Sequence, residues 1–197
     1  MSQNLLLCYG MIKDQLSTEN RVFSDKNPFD FRIITPFIRD EFREEVIPAL
    51  LKTGNEQLHT LQTTLLPIAR QLIFELNSSI FLRLLEAATN LDNLLPDPYL
   101  TEGGFLQELG TRPTVHFPVN KLHRKLRLDI AISTQTQPCL FAISGVEEPL
   151  ALNNGDCLLS RCIPGTPFGA CVPVETENTR CLTLYYYQNP PEPQNHE

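Results

Sequence analysis

Apolar residues change their spacing once along this chain, and the change limits the folds open to it. In "TTLLPIARQLIFELNSSIFLRLLEAATNL", Leu65, Ile68, Ala69, Leu72, Ile73 and Leu76 recur at i, i+3, i+4 and i+7, the spacing of an amphipathic helix. "NSS" at Asn77–Ser79 reads as a stop followed by the N-cap of a second helix, Ile80 to Thr89. Further upstream, Phe42, Val46, Ala49 and Leu50 share one helical face, with Asp40, Glu41, Glu44 and Glu45 placed early, where they suit the helix dipole. From Phe105 onward the helical period is gone. Short apolar runs ("LRLDIAIS", "CLFAISG", "PLALNNGDCLLS", "ACVPV", "CLTLYYY") alternate with turn residues, the pattern of a β-sandwich or barrel. "NNG" at Asn153–Gly155 is a strong turn signal. The expectation is α+β: N-terminal helices, about 36–90, packed on a β-sandwich, about 105–187, in one domain spanning 1–187. Residues 1–27 show few periodic signals, with short strands expected around Leu5–Cys8 and at Phe31–Ile34. The Pro-rich tail, 188–197, is expected to be disordered.

The formal net charge of the 197 residues is −7, and the densest basic run is "HRKLR", His123 to Arg127. That balance argues against nucleic acid as a partner. The N-terminus lacks the basic and apolar regions of a signal peptide, and no apolar run reaches 18 residues, so a soluble cytoplasmic protein with no membrane association is expected. Its six cysteines are then expected to be thiols. Zinc is disfavoured: Cys157, Cys162, Cys171 and Cys181 form no pair of knuckles.

The order of several segments resembles the prolyl-4-hydroxylase-like family of 2-oxoglutarate/iron(II) oxygenases. "VHFPVN" is similar to a His-x-Asp-Phe-Asn metal motif, "HRKLRLDIAIS" to the Arg-Arg-Leu-Asn strand that follows it, and "PFGACVPVETENTRCLTLYYY" to a closing Phe-His-Gly…Pro…Arg-x-Ser-Leu segment. "DPYLTEGG" and "LALNNGDCLL" resemble the family's approach to the site and the turn before its second half. The resemblance covers roughly Leu65 to Tyr187 and implies a double-stranded β-helix, or jelly roll.

Its chemistry requires two His and one carboxylate on one face of iron(II), and an Arg that pairs with the far carboxylate of 2-oxoglutarate. Carried over position by position, His116 matches the first metal His. Pro118 stands where the Asp ligand should be, and Gly169 where the second His should be. Cys181 takes the Ser position and Thr179 the position of the co-substrate Arg. Arg180 lies next door but on the other strand face, unless a bulge turns it. The resemblance implies iron and 2-oxoglutarate, yet the ligands for them are missing, so neither is expected as a cofactor.

Cys171 and Cys181, near the vacated positions, are candidate reactive thiols with Arg180 or His116 as activating neighbours. His123 and Asp129 would lie about 20 Å apart along one strand, too far to share a metal; His123 and Arg124 read as surface residues where that strand begins.

Three functions remain open. The first is a pseudoenzyme scaffold for a protein partner or a small molecule. The second is a metal-independent enzyme in the old pocket, for an isomerisation or cyclisation, using polar groups such as His116, Arg112, Arg124 and Arg180. The third is an oxygenase with unusual ligands.

Overall fold

A computed structural model describes residues 5–18, 31–52, 65–97, 104–107, 123–133, 138–143, 147–165, 171–173 and 179–188; the side chains of 105–107, 143 and 171–173 are outside the description. His116, Pro118 and Gly169 therefore lie outside the described residues, and so does the tail beyond Gln188.

The protein is α+β, with four helices and two antiparallel sheets among the described residues. The helices are α1 (Tyr9–Thr18), α2 (Asp40–Leu51), α3 (Pro67–Leu76) and α4 (Ser79–Thr89). The strands are β1 (Phe31–Ile34), β2 (Gly104–Gln107), β3 (Arg124–Ser133), β4 (Cys139–Ile143), β5 (Leu150–Leu152), β6 (Cys157–Arg161), β7 (Cys171–Pro173) and β8 (Thr179–Tyr187). The larger sheet has the order β1-β6-β3-β8-β2 and the smaller β5-β4-β7.

The helical periods translate directly. Ala69, Leu72, Ile73 and Leu76 of α3 are buried, as are Val46, Ala49 and Leu50 of α2. Pro67 starts α3, where a missing N–H costs nothing. Ser78 caps α4, its hydroxyl accepting from the Phe81 amide at 3.3 Å. Two elements differ from expectation. A ten-residue helix, α1, occupies Tyr9–Thr18, where the polar sequence offered little period; it buries Ile12 and Leu16, a tertiary gain that outweighs weak amphipathicity. Leu5–Cys8 is not a strand but contributes a single bridge, Leu7 to Ile38. Its amides are held instead by a helix side chain: the two carboxylate oxygens of Glu75 accept from the Leu6 and Leu7 amides at 2.8 and 3.0 Å.

β1, which precedes the long helices, pairs with β6, so the larger sheet recruits a strand from the N-terminal part of the chain. The helices cover one face of this sheet. Leu126, Leu128, Ile130 and Ile132 of β3, Leu182, Leu184 and Tyr186 of β8, and Cys157 and Leu159 of β6 form one core with them. Each fully buried large side chain there contributes about 2 kcal/mol. Tyr186 shows how the layers lock: its ring lies 6.2 Å from that of Phe81, and its hydroxyl donates to the Leu76 carbonyl at 3.0 Å. The opposite face of the sheet meets the smaller sheet in a second core of Ala131, Cys139, Phe141, Leu152, Leu158 and Cys181. The Asn153–Asp156 turn closes the β5–β6 connection. Gly155 sits there at φ +84, and a Cβ would come within 3.3 Å of Arg43 Nε on α2, so both backbone and neighbour call for glycine.

Candidate functional site

Strand alternation sorts β3 and β8 into two kinds of surface. The even-numbered residues 126–132 and 182–186 face the helices. Residues 127–133 and 179–185 of odd number face the smaller sheet, and most are polar: Arg127, Asp129, Ser133, Thr179, Thr183 and Tyr185 are all buried. Register places Asp129 opposite Thr183, Arg127 opposite Tyr185, and Ser133 opposite Thr179. This polar stripe between the sheets is the candidate site.

Arg127 is its centre and is 1 % exposed. Its Nε donates to both oxygens of Asp129, at 2.9 and 2.7 Å. Nη1 donates to the Tyr185 hydroxyl at 3.2 Å and Nη2 to the Thr183 hydroxyl at 3.3 Å. The Thr183 hydroxyl donates in turn to Asp129, at 2.5 Å. Two charges with no exposed surface are thus compensated by each other and by two hydroxyls, the arrangement a buried ion pair needs. Burial raises the Asp129 pKa, and the Arg127 guanidinium, the Thr183 hydroxyl and the Cys181 thiol offset only part of the rise. Burial works against the Arg127 charge, but the adjacent carboxylate outweighs it and holds the guanidinium above its ordinary range.

A second arginine joins the stripe through a bulge. Arg124 pairs with Tyr187, but Leu126 pairs with Tyr186, so Lys125 is an extra residue in β3. The bulge turns Arg124 to the face of Arg127, where its guanidinium stacks over the Tyr185 ring at 4.0 Å. The expectation that Arg124 is a surface residue is thereby corrected: it is buried, whereas His123 is exposed and stacks on Tyr187, ring centroids 5.4 Å apart. The basic run "HRKLR" accordingly forms no exposed basic patch, because Arg124 and Arg127 are both inside.

At the far end of the stripe, Thr179 occupies the position that the resemblance assigns to the co-substrate arginine. Its hydroxyl lies 3.3 Å from that of Ser133 and 3.7 Å from the Cys139 sulfur, which joins β8 to β4 across the sheets. Ser133 is held in turn by Asn154, whose side chain accepts from its amide at 2.9 Å and donates to its carbonyl at 2.7 Å. Register around Arg180 is regular, Ile132 opposite Arg180 and Ala131 opposite Cys181. No bulge turns Arg180 inward, so it is half-buried on the helix-facing side. Cys181 points between the sheets and is fully buried in the second core. At the position that the resemblance assigns to the co-substrate anchor stands a hydroxyl already engaged, and the adjacent Arg180 guanidinium is on the other face of the strand.

Cys8, Cys139, Cys157, Cys162 and Cys181 are in no disulfide, and buried thiols are poor nucleophiles. Cys162, beside Arg124 and Arg127, is pushed up to about 12 by burial, and burial likewise raises Tyr185. Both stay protonated at neutral pH, and the one carboxylate of the stripe is committed to Arg127. Among the described residues no three His, Cys, Asp or Glu side chains cluster as a metal ion requires, and no helix is long and apolar enough to cross a membrane. Of the sequence candidates, Thr179 and Cys181 are brought to the stripe, Arg180 is turned away, Cys171 contributes its backbone to β7, and His116, Pro118 and Gly169 lie outside the described residues. Sequence reasoning missed Arg127, Thr183 and Tyr185. The available signal was a charged pair two residues apart inside an apolar strand, which places both on one face. No model of a known protein family matches the chain, and no curated protein is significantly similar to it.

Proposed function

We propose that this chain is a jelly-roll protein on the prolyl-4-hydroxylase-like scaffold that has lost iron/2-oxoglutarate chemistry and serves as a binding scaffold for a protein partner or a small molecule. Strand order supports the fold. With β2 taken as the first strand of eight, the pairings β2·β8, β8·β3 and β3·β6 in one sheet and β7·β4 and β4·β5 in the other are those of two interlocked Greek keys.

One observation carries the functional reading. The face where a co-substrate would lie is occupied by side chains that satisfy one another: Arg127 is bonded to Asp129, Thr183 and Tyr185, and Thr179 to Ser133 and Cys139. A dicarboxylate would have to break these bonds without finding a free guanidinium among the described residues, and breaking a buried pair costs about 3–5 kcal/mol. Pro118 and Gly169, which supply no ligand atoms, add to the argument.

The test is thermal unfolding with manganese(II), as a redox-inert stand-in for iron, and 2-oxoglutarate. A ligand at 100 times its Kd would raise Tm by roughly 5–10 °C for a chain of this size. The expected shift is below about 1 °C; a rise of several degrees that needs both additives returns the chain to the oxygenases.

A further inference from the structure

We infer that the groove between α1 and α4, continuing onto α3, is a docking site for an amphipathic helix of a protein partner, one that carries acidic residues beside its apolar stripe. Two adjoining cavities define it. One, about 650 Å3, is lined by Leu5, Tyr9, Arg70, Phe74, Ser78 and Ile80, among others. The other, about 390 Å3, lies between Gly10, Lys13 and Leu16 of α1 and Leu84, Ala87 and Ala88 of α4. Tyr9 and Ile80 belong to both, so the two make one trough. Its lips are apolar yet open: Phe74 is 56 % exposed and Ile80 59 %, exposure that costs solvation unless something covers it.

Two features select the occupant. Gly10 stands in the first turn of α1, where alanine would favour the helix by roughly 0.5–1 kcal/mol. A Cβ there would meet nothing within 4 Å, so no contact inside the described chain requires glycine. Together with Ala87 and Ala88 it floors the trough with small residues, which lets a guest helix approach at the close end of the usual 8–10 Å spacing. Charge is the second feature. Lys13 and Arg70 line the trough, and Glu75, the one carboxylate among its described lining residues, already has both oxygens bonded to the Leu6 and Leu7 amides. A cationic trough on a chain of net charge −7 suits an acidic partner. The helices that border it are about 15 Å long, room for roughly three turns of guest helix, in the helix-in-groove mode. The larger sheet separates this trough from the polar stripe, so the inference stands or falls independently of the function proposed above.

Fluorescence anisotropy tests it with the full chain and two labelled helical peptides of about 18 residues. Both have leucines at i, i+3, i+4 and i+7; one is flanked by Glu and the other by Lys. The Glu peptide is expected to bind saturably and at least about tenfold more tightly than the Lys peptide. Gly10→Leu should weaken it about tenfold or more without lowering Tm, and Lys13→Glu should narrow the preference. Ile80→Glu, at an exposed position, should abolish binding and serves if Gly10→Leu does not fold. Failure of the Glu peptide to bind, equal binding of both peptides, or indifference to Gly10→Leu and Ile80→Glu overturns the inference. A concentration-dependent dimer in sedimentation that Gly10→Leu or Ile80→Glu dissociates also overturns it, by making a second copy of the chain the occupant.

Discussion

The two faces of the β3–β8 pair are equally buried and chemically opposite. Towards the helices stand Leu126, Leu128, Ile130, Leu182, Leu184 and Tyr186. Towards the smaller sheet, one residue away at each step, stand Arg127, Asp129, Thr179, Thr183 and Tyr185. The first face stabilises the fold by removing apolar area from water. The second gains little net stability from its charges, because their attraction mainly offsets the cost of desolvating them. Within the stripe, Arg127, Asp129, Thr183 and Tyr185 bond to one another.

The contrast predicts different responses on the two faces. The largest effect is expected for Asp129→Ala, which strands the Arg127 charge: a loss of about 3–5 kcal/mol in urea unfolding. A loss under about 1 kcal/mol would mean that the guanidinium has another partner or reaches water. Leu128→Ala, the adjacent residue on the helix side, should cost about 2–5 kcal/mol through lost burial and a cavity. That cost should be independent of pH, whereas burial raises the Asp129 pKa in the folded chain, so the cost at Asp129 should grow as pH falls through that range. Thr183→Val keeps the shape but removes the hydroxyl that bridges the pair; about 1–3 kcal/mol should be lost, and a neutral result would show that the hydroxyl is dispensable.

A separate effect, absent at neutral pH, is alkaline. The Cys162 thiol has its pKa raised from 9.0 to about 12 in the folded chain, so the unfolded chain ionises first. The thiol's contribution is intact below pH 9 and is lost as pH rises towards 12. Stability should fall by up to about 1.4 kcal/mol per pH unit in that window, and Cys162→Ala should remove this part of the slope. An unchanged slope in the variant would assign the effect to other groups, such as Tyr9, which burial pushes up to about 12.

Legibility in the sequence follows the same division. The helix-side face was readable because burial on one side imposes a period: α2, α3 and α4, the Ser78 cap and the strand runs of β3 to β8 all follow from spacing and turn residues. α1 was not, because its buried face consists mainly of Ile12 and Leu16 and depends on neighbours distant in sequence, including the Phe81 ring, 6.4 Å from that of Tyr9. On the inner face, the near-continuous apolar look of "LRLDIAIS" hid the site. Arg127 and Asp129 resemble solvated charges until their partners, Thr183 and Tyr185, arrive from more than fifty positions away. Arg124 was misassigned to the surface because the bulge at Lys125 depends on pairing with β8, which leaves no local mark. The strand face of Arg180 was legible, since it rests on alternation alone.

A double-mutant cycle on Arg127 and Asp129 shows whether the inner face is occupied by an ion pair whose charges compensate each other. The chain carrying both Arg127→Met and Asp129→Leu, compared with each single substitution in urea, is predicted to recover most of the stability lost in Asp129→Leu alone. The expected coupling energy is about 3 kcal/mol or more. Losses that simply add would contradict the claim, because they would mean that the two charges do not compensate each other and that the stripe is open to another ligand.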